Sequence, residues 1–437
     1  MDGQARVTYP AAASVHHHAD LDLWASNRRT GQLLLITTVF LGLSSGYYFS
    51  LAILPAALGV GAPTARLGLL PEWVGTREIL FHRRSPYRSE VTKEIQTGVY
   101  GDKGVPHANQ ERFAYPVYFA LLFAPLGLMP FAAARLVGLA GCLAATLLSV
   151  RLWMTSLGLA RPSTIVVTAA TFAVYPVILG LQLCQPTLLI AGLLAVVVWL
   201  AISGRLAWAG TLAGLCTAKP QLAIAVLLPL CIWSVAGWHE RKRFLLSLLA
   251  TVAGLLSGSE LIVPGWIGPW LETLRAYSRY AGSAPILREM AGGRLFLPAC
   301  ALLMSAIICV GVRFCDSDLL FAISFSIAAF QLIFPFLIYN EVLLLPAALW
   351  LLKYAGHIRT RSQWHKLLWS LSWIALSAGV ATAAGLSLLN LLVPGAALKL
   401  WELPLLAAWI YPGTILLALA SCAVPDKSRS LALSRVA

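Results

Sequence analysis

Charged residues are scarce in this sequence: they make up 11% of its 437 residues, whereas an ordinary soluble domain has about a quarter. Acidic residues are the scarcer kind, with 18 Asp and Glu against 32 Lys and Arg. The chain is 59% hydrophobic, more than a water-soluble fold of this length needs, so a soluble globular protein is excluded. We expect lipid to surround most of the chain, where the backbone must be helical.

The sequence also lacks Cys-x-x-Cys pairs, and its eight cysteines lie mostly inside apolar segments, which argues against a zinc site or a disulfide framework. Three consecutive histidines, His16 to His18, have no fourth metal ligand near them, and we interpret them as part of a polar leader. We therefore predict no metal and no cofactor. No cleavable signal pattern precedes the first apolar run, which we expect to remain as an anchor.

Apolar segments of about 20 residues recur along the chain with short polar joints between them. They predict an all-α, polytopic membrane bundle of about 12 spans. The candidate segments are 33–57, 114–154, 163–182, 186–203, 206–218, 220–237, 244–263, 295–314, 318–338, 341–355, 367–393 and 402–424. Within 114–154 we predict one full span and a short piece that ends near Pro130. The joint Lys219-Pro220 predicts a helix broken at membrane depth.

Basic residues cluster between the apolar segments, which follows the positive-inside rule and explains the net charge of +14 without a nucleic-acid partner. With the clusters at 239–243 and 353–366 and both termini in the cytoplasm, two polar segments fall outside, namely 60–112 and 264–293. The expected organisation is a leader (1–32), a membrane domain (33–425) and a tail (426–437). The first outer loop is the longest polar segment, so we expect short interfacial helices and the chemistry there.

Several motifs occur together in a specific order. The stretch Phe113 to Pro130 reads FAYPVYFALLFAPLGLMP and follows Ser85-Pro86-Tyr87. Further along are Gln185-Pro186-Thr187-Leu188-Leu189, AGTLAGLCTAKPQLAIAVLLPL from Ala209 to Leu230, and Tyr339-Asn340-Glu341. In this order and spacing they resemble glycosyltransferase family 87, within the GT-C superfamily of polyprenyl-phosphate-sugar-dependent enzymes. The resemblance covers roughly residues 30 to 350.

The resemblance implies a GT-C type bundle with its active site on the non-cytoplasmic face, where a sugar passes from a polyprenyl-phosphate donor to a lipid or glycan acceptor with inversion. A mannose-like or arabinofuranose-like sugar is expected. The family pattern has an Asp shortly before Trp73, but the corresponding stretch here, Arg66 to Glu72, has Gly68 and no Asp. Glu72 is the nearest carboxylate for a general base and Glu78 is the second candidate; the alternative for Glu72 is a solvated interfacial acid.

Cations are needed for the departing phosphate, and Lys219 is the first candidate because a Lys between apolar helices is costly without a partner or a cavity. Its alternative is a side chain that extends to the lipid headgroups. Arg77 and Arg84 in the first loop are candidates for bidentate contact with the phosphate, or otherwise for contact with anionic headgroups.

Gln185 and Asn340 are predicted at outer helix ends, where their amides bind sugar hydroxyls or simply cap helices. Tyr87 and Tyr115 are candidates for stacking on a sugar, or for the ordinary aromatic belt of a membrane protein. In the second outer loop, the segment WLETLRAYSRY from Trp270 to Tyr280 has the pattern of a helix on the membrane surface, and we expect it to cover the site.

Two further functions stay open at this point. A transporter or flippase of lipid-linked glycan also uses broken helices and buried cations. A family member without a base binds lipid-linked sugar and transfers nothing. The long, acid-bearing outer loop favours the enzyme, and we expect a multi-pass protein of a bacterial inner membrane in the cell envelope.

Overall fold

The computed structural model describes residues 68–100, 111–159, 163–280, 285–334, 337–393 and 403–423. The regular secondary structure in these ranges is all helical, and they contain no β-strand. The helices are α1 (Leu70–His82), α2 (Ser89–Tyr100), α3 (Val117–Gly127), α4 (Phe131–Ser156), α5 (Ser163–Ala173), α6 (Tyr175–Gln182), α7 (Pro186–Ile202), α8 (Leu206–Cys216), α9 (Pro220–Ala236), α10 (Trp238–Ile262), α11 (Ile267–Tyr280), α12 (Ile286–Phe314), α13 (Leu319–Ile333), a 3₁₀ helix (Ile338–Leu344), α14 (Leu345–Lys353), α15 (Ala355–Arg361), α16 (Gln363–Leu392) and α17 (Leu403–Ala423). The predicted leader with His16 to His18, the apolar segment 33–57 and the tail lie outside the described residues.

Proline sets several helix starts. Pro71, Pro176, Pro186 and Pro220 each stand in the first turn of a helix, where the missing N–H costs no hydrogen bond. Proline also pushes the residue before it out of the helical region, which ends the preceding helix. The predicted apolar segment 163–182 is therefore two helices rather than one straight helix: α5 and α6 are bent by 65° just before Tyr175-Pro176. The segment 341–355 likewise divides into a 3₁₀ helix and α14.

Three helices in the described ranges are long and apolar enough to cross a membrane: α4, α10 and α12. The number is up to five if each of two bent helix pairs forms one span, and further apolar helices are shorter, among them α7, α9 and α13. The chain is therefore an integral membrane protein by its helices, while the count of about 12 spans stays a prediction. Helix α3 has 11 residues and ends before Pro130, so it rises only about 16 Å, too short to cross a bilayer.

Small residues allow close packing in the interior, whereas large apolar side chains cover the outside. The helix pairs α8/α10 and α4/α7 pack closely, and a Cβ added at Gly210 would collide with the carbonyl of Phe244. On the outside, Ile165, Leu261, Met290 and Leu297 are exposed. Exposed apolar side chains of this kind suit contact with lipid.

The first-loop helix α1 belongs to the interior rather than to an open interface. It packs against α3, and most of its residues, including Glu72 and Glu78, are buried. The alternative of a solvated interfacial acid at Glu72 is thereby wrong. Gly68, just before α1, lies so close to the backbone of Leu183 that a Cβ at this position would overlap with it. The packing fixes where α1 begins, and with it the position of Glu72.

Candidate functional site

Broken helices bring polar side chains together in the interior. The chain leaves helical geometry between α6 and α7 at Cys184, which has a positive φ of 49°, and between α8 and α9 at Lys219, with φ −128°. A third irregular stretch is the 3₁₀ helix that contains Asn340. Hydrogen bonds join side chains from all three places, so separate breaks in the sequence form a single polar cluster.

Lys219 lies at the centre of this cluster, with 3% of its surface exposed. Its Nζ donates to Oγ1 of Thr187, whose hydroxyl donates in turn to Oδ1 of Asn340 over 3.2 Å. The ammonium group also lies 5.1 Å from the ring centre of Tyr339 and 6.0 Å from that of Tyr115. A charge buried in this way is stabilised by hydrogen bonds and by aromatic faces rather than by water. The alternative of a lysine extended to the headgroups is therefore wrong.

Glu72 is the acid of the same cluster and is 3% exposed. The hydroxyl of Tyr115 donates to its Oε1 over 3.0 Å, while its Oε2 is buried without a hydrogen-bond partner in the part of the chain that the structure describes. Burial raises the pKa of Glu72 to about 7, against the lowering effects of its hydrogen bonds and of the charge on Lys219. A carboxyl group with this pKa can accept and release a proton near neutral pH.

Tyr115 connects the acid to the cation, since its hydroxyl contacts Glu72 and its ring faces Lys219. Its own position is set on several sides. Its carbonyl accepts a hydrogen bond of 2.6 Å from the hydroxyl of Tyr87, and its ring stacks on Phe119 at 4.0 Å. The two predicted tyrosines thus lie together, with Tyr87 holding the backbone of Tyr115.

The segment predicted to be the second outer loop contacts the same stretch of chain. The indole N–H of Trp270, on α11, donates to the carbonyl of Ala114 over 3.2 Å. Trp266, just before α11, is fully buried and packs edge-on against Tyr118, whose hydroxyl donates to the carbonyl of Thr217 over 2.9 Å. These contacts tie α11 to residues beside Tyr115 and Lys219. Whether α11 covers the site stays a prediction.

Other predicted residues are engaged elsewhere. The Glu78 carboxylate pairs with Nε of Arg84 at 2.9 Å and with Nδ1 of His82 at 2.8 Å. The Arg77 guanidinium donates to the carbonyl of Gly127 over 3.0 Å and lies over the ring of Trp73. Glu78, Arg77 and Arg84 therefore form local contacts of α1 and not contacts with the cluster.

The two predicted amide residues, Gln185 and Asn340, lie in different surroundings. Gln185 is half-buried at the start of α7, and its side chain makes no capping hydrogen bond there. Asn340 is buried. Its side-chain Oδ1 accepts a hydrogen bond from Thr187, and its backbone carbonyl accepts one from Nε2 of Gln331 over 2.8 Å. Asn340 is therefore part of the cluster, and Gln185 stands two residues before Thr187 at its edge.

Sequence reasoning missed Thr187, Tyr339 and Gln331 as members of the cluster. A signal existed for Thr187, because a polar residue directly after Gln185-Pro186 opens an otherwise apolar helix. A buried Lys219 also requires a hydrogen-bond acceptor from another helix. Nothing in the sequence tells which helix supplies it.

Among the described residues there is no group of three or more His, Cys, Asp or Glu that would hold a metal ion. In the comparison with protein families, the model of glycosyltransferase family 87 matches residues 113–338, just over half of the chain. This range includes Tyr115, Thr187 and Lys219, and it ends just before Tyr339. No curated protein and no solved structure matches the chain significantly.

Proposed function

Because the chain belongs to glycosyltransferase family 87 and is thereby a membrane glycosyltransferase, we propose that it transfers a sugar from a polyprenyl-phosphate donor to a hydroxyl group of a lipid or glycan acceptor. Glu72 is the general base, Lys219 binds the phosphate of the donor, and the anomeric centre is inverted. The observation that carries this proposal is the pairing of a buried acid and a buried cation across Tyr115.

The reaction needs little beyond these groups. The acceptor hydroxyl gives its proton to Glu72 as its oxygen attacks the anomeric carbon. The bond between that carbon and the phosphate oxygen breaks, and its electron pair leaves with the polyprenyl phosphate. The charge that develops on the phosphate is stabilised by Lys219, whose effect is strong because the surroundings exclude water. Direct displacement of this kind inverts the anomeric centre.

Backbone groups at the cluster also favour the binding of an anion. Helices α7 and α9 both begin at the cluster, with Thr187 in the first turn of α7 and Lys219 just before α9. Helix N-termini carry partial positive charge and free N–H groups, which favour phosphate. Arg77 and Arg84 play no part in this proposal, since Gly127 and Glu78 occupy their guanidinium groups. We assign Gln185 to a sugar hydroxyl.

The packing of Gly68 supports Glu72 as the base. A side chain at position 68, where the family pattern would have its Asp nearby, would overlap with the backbone of Leu183. Glu72 lies four residues later, about one helical turn, and its longer side chain reaches Tyr115. In this protein the carboxylate that serves as the base is therefore Glu72, at a later position in the chain than the Asp of the family pattern.

We place the site near the non-cytoplasmic face, on an argument from helix length. Helix α9 starts at the cluster and has 17 residues, so it rises about 26 Å before it reaches the basic segment 239–243. Arg241 in this segment pairs with Asp316, which lies in the joint between α12 and α13. A basic segment about one bilayer away from the site supports an outer site by the positive-inside rule. The membrane we propose is a bacterial inner membrane.

Reconstituted protein tests this function. Proteoliposomes are given a polyprenyl-phosphate-linked sugar together with a lipid acceptor, and glycosylated product is measured for the unchanged protein and for Lys219→Met. We expect product from the unchanged protein and a rise in the donor KM for Lys219→Met. Movement of the donor across the bilayer without product would establish the flippase instead. Donor binding without product or movement would establish the non-catalytic family member.

A further inference from the structure

The polar cluster contains a residue to which the reaction as proposed gives no role. Thr187 is completely buried, at 0% exposure, in the first turn of α7. Its hydroxyl stands between Lys219 and Asn340, which come from two other parts of the chain. A threonine in a membrane helix ordinarily bonds to a carbonyl of its own helix, as Thr146 does to Cys142 over 2.8 Å. Thr187 instead bonds between helices.

The chemistry of the partners decides the direction of both bonds. A lysine ammonium group has donors and no acceptor, so Thr187 accepts from Lys219. The single hydroxyl proton is then directed to Oδ1 of Asn340, which only accepts. Both capacities of the hydroxyl are used, and it is locked in one orientation with its oxygen toward the ammonium group.

The other neighbours of Lys219 do not fix its position as closely. A lysine side chain has a flexible stem of four carbons, and its ammonium group is a point charge that an aromatic face attracts without a preferred direction. The rings of Tyr115 and Tyr339 lie 6.0 and 5.1 Å away, on two sides. Of the contacts described for Lys219, the bond to Thr187 is the directional one.

Asn340 is itself held in place by a hydrogen bond from another helix. Its carbonyl accepts from Nε2 of Gln331, a buried residue near the end of α13, so the 3₁₀ helix and α13 are joined at this level. The series Gln331, Asn340, Thr187 and Lys219 therefore runs from α13 to the start of α9 through buried hydrogen bonds. Buried networks with every member bonded are rigid, because loss of one bond leaves a polar group without water or partner.

We propose that Thr187 is a positioning residue that holds the Lys219 ammonium group in place for the phosphate of the lipid-linked donor. The identity of that donor rests on the proposed function, whereas the positioning concerns any lipid phosphate that Lys219 binds. Thr187 acts on donor binding and not on the acceptor or on proton transfer. Loss of its hydroxyl group should therefore raise the KM for the donor and leave the KM for the acceptor unchanged.

The test compares Thr187→Val, which keeps the shape and removes the hydroxyl, with Thr187→Ser, which keeps the hydroxyl. The matched control is Thr146→Val, the same change at a buried threonine whose hydroxyl bonds only within its own helix. We expect Thr187→Val to raise the donor KM about tenfold, since a bond to a charged group is lost. Thr187→Ser and Thr146→Val stay within about threefold of the unchanged protein. Thr187→Ala replaces Thr187→Val if the valine variant does not fold.

A second measurement separates this inference from the proposed function. Binding of a polyprenyl monophosphate without sugar is measured by calorimetry on the purified full-length protein in detergent, with Lys219→Met as the variant that lacks the cation. We expect Thr187→Val to weaken this binding about tenfold and Thr187→Ser to restore it. If the unchanged protein binds the phosphate but transfers no sugar, the proposed function fails, and weaker binding by Thr187→Val still supports the positioning role.

Three results would overturn the inference. One is unchanged donor KM and unchanged phosphate binding in Thr187→Val, with sugar transfer intact in the unchanged protein. Another is a serine variant as weak as the valine variant, because the hydroxyl is then not the group that matters. The third is the absence of phosphate binding by the unchanged protein, which would overturn the inference, whereas sugar transfer decides the proposed function.

Discussion

Helix α1 carries two glutamates six residues apart, and their surroundings differ in an instructive way. Both are buried, at 3% exposure for Glu72 and 4% for Glu78. Glu78 pairs with Arg84 and His82, whereas Glu72 receives a hydrogen bond from the neutral hydroxyl of Tyr115 and keeps Oε2 without a partner in the described chain. Burial by itself therefore does not identify a base. What distinguishes Glu72 is a carboxylate oxygen that is not paired with a basic side chain.

The largest expected effect tests this difference directly. Glu72→Gln should lower the rate of sugar transfer by about a hundredfold to ten-thousandfold, since the acceptor hydroxyl loses its proton acceptor. Glu78→Gln is the control on the same helix and should lower the rate by less than about tenfold. The rates are measured in membranes with matched protein levels. The roles of the two residues would have to be exchanged if Glu78→Gln lost activity while Glu72→Gln retained it.

A smaller effect is expected from the neutral partner of Glu72. The hydrogen bond from Tyr115 lowers the pKa of Glu72, so Tyr115→Phe raises that pKa above its value of about 7. The deprotonated base is then reached only at higher pH, and the acid limb of the pH-rate profile moves upward. At pH 6 the variant should be about tenfold slower than the unchanged protein, with a smaller difference at pH 8.5. An acid limb at the same pH in both proteins would show that this bond does not tune the base.

The position of α1 is the next point to test. In Gly68→Ala the new Cβ overlaps with the backbone of Leu183, which should destabilise the protein by about 1–3 kcal/mol. Gly254→Ala on α10 is the control, because nothing lies near its Cβ and alanine favours the helix. Thermal unfolding in detergent measures both. Equal stability of the two variants would mean that α1 shifts easily and does not fix Glu72.

The smallest effect concerns the partner of Glu78. Arg84→Ala should lower the stability by about 1 kcal/mol, since Glu78 loses one of its two partners and Arg84 is itself well exposed. The rate of sugar transfer and the donor KM should stay within about threefold of their normal values. Kinetics in proteoliposomes together with thermal unfolding check both statements. A clear rise in the donor KM would contradict this and show that Arg84 takes part in binding the donor phosphate.

Many features of the fold could be predicted from the sequence because they depend on local chemistry. The breaks near Pro130 and at Lys219-Pro220 follow from proline and are present in the structure. The family was also identified correctly from the motifs around Phe113 and Lys219. The bend between α5 and α6 was missed, although Tyr175-Pro176 has the same local cause, because the apolar composition on both sides of it reads as one continuous span.

The site could be predicted less completely, because its members come from separate helices. Glu72, Tyr115, Lys219 and Asn340 were candidates for their residue types and places in the motifs. Their assembly depends on which helices pack together, and so does the engagement of Arg77 with Gly127, 50 residues away. The sequence offered Glu72 and Glu78 as candidates of the same kind, and their different partners separate them.

Hydrophobicity, proline positions and motif order act within short stretches of chain, so they were enough to predict a helical membrane protein of this family. The burial of Lys219 against Thr187, and the contact of Tyr115 with both Lys219 and Glu72, depend instead on how separate helices pack. The physical reason is that a buried charge needs partners that its own helix cannot supply. Those partners come from other helices, and packing selects them.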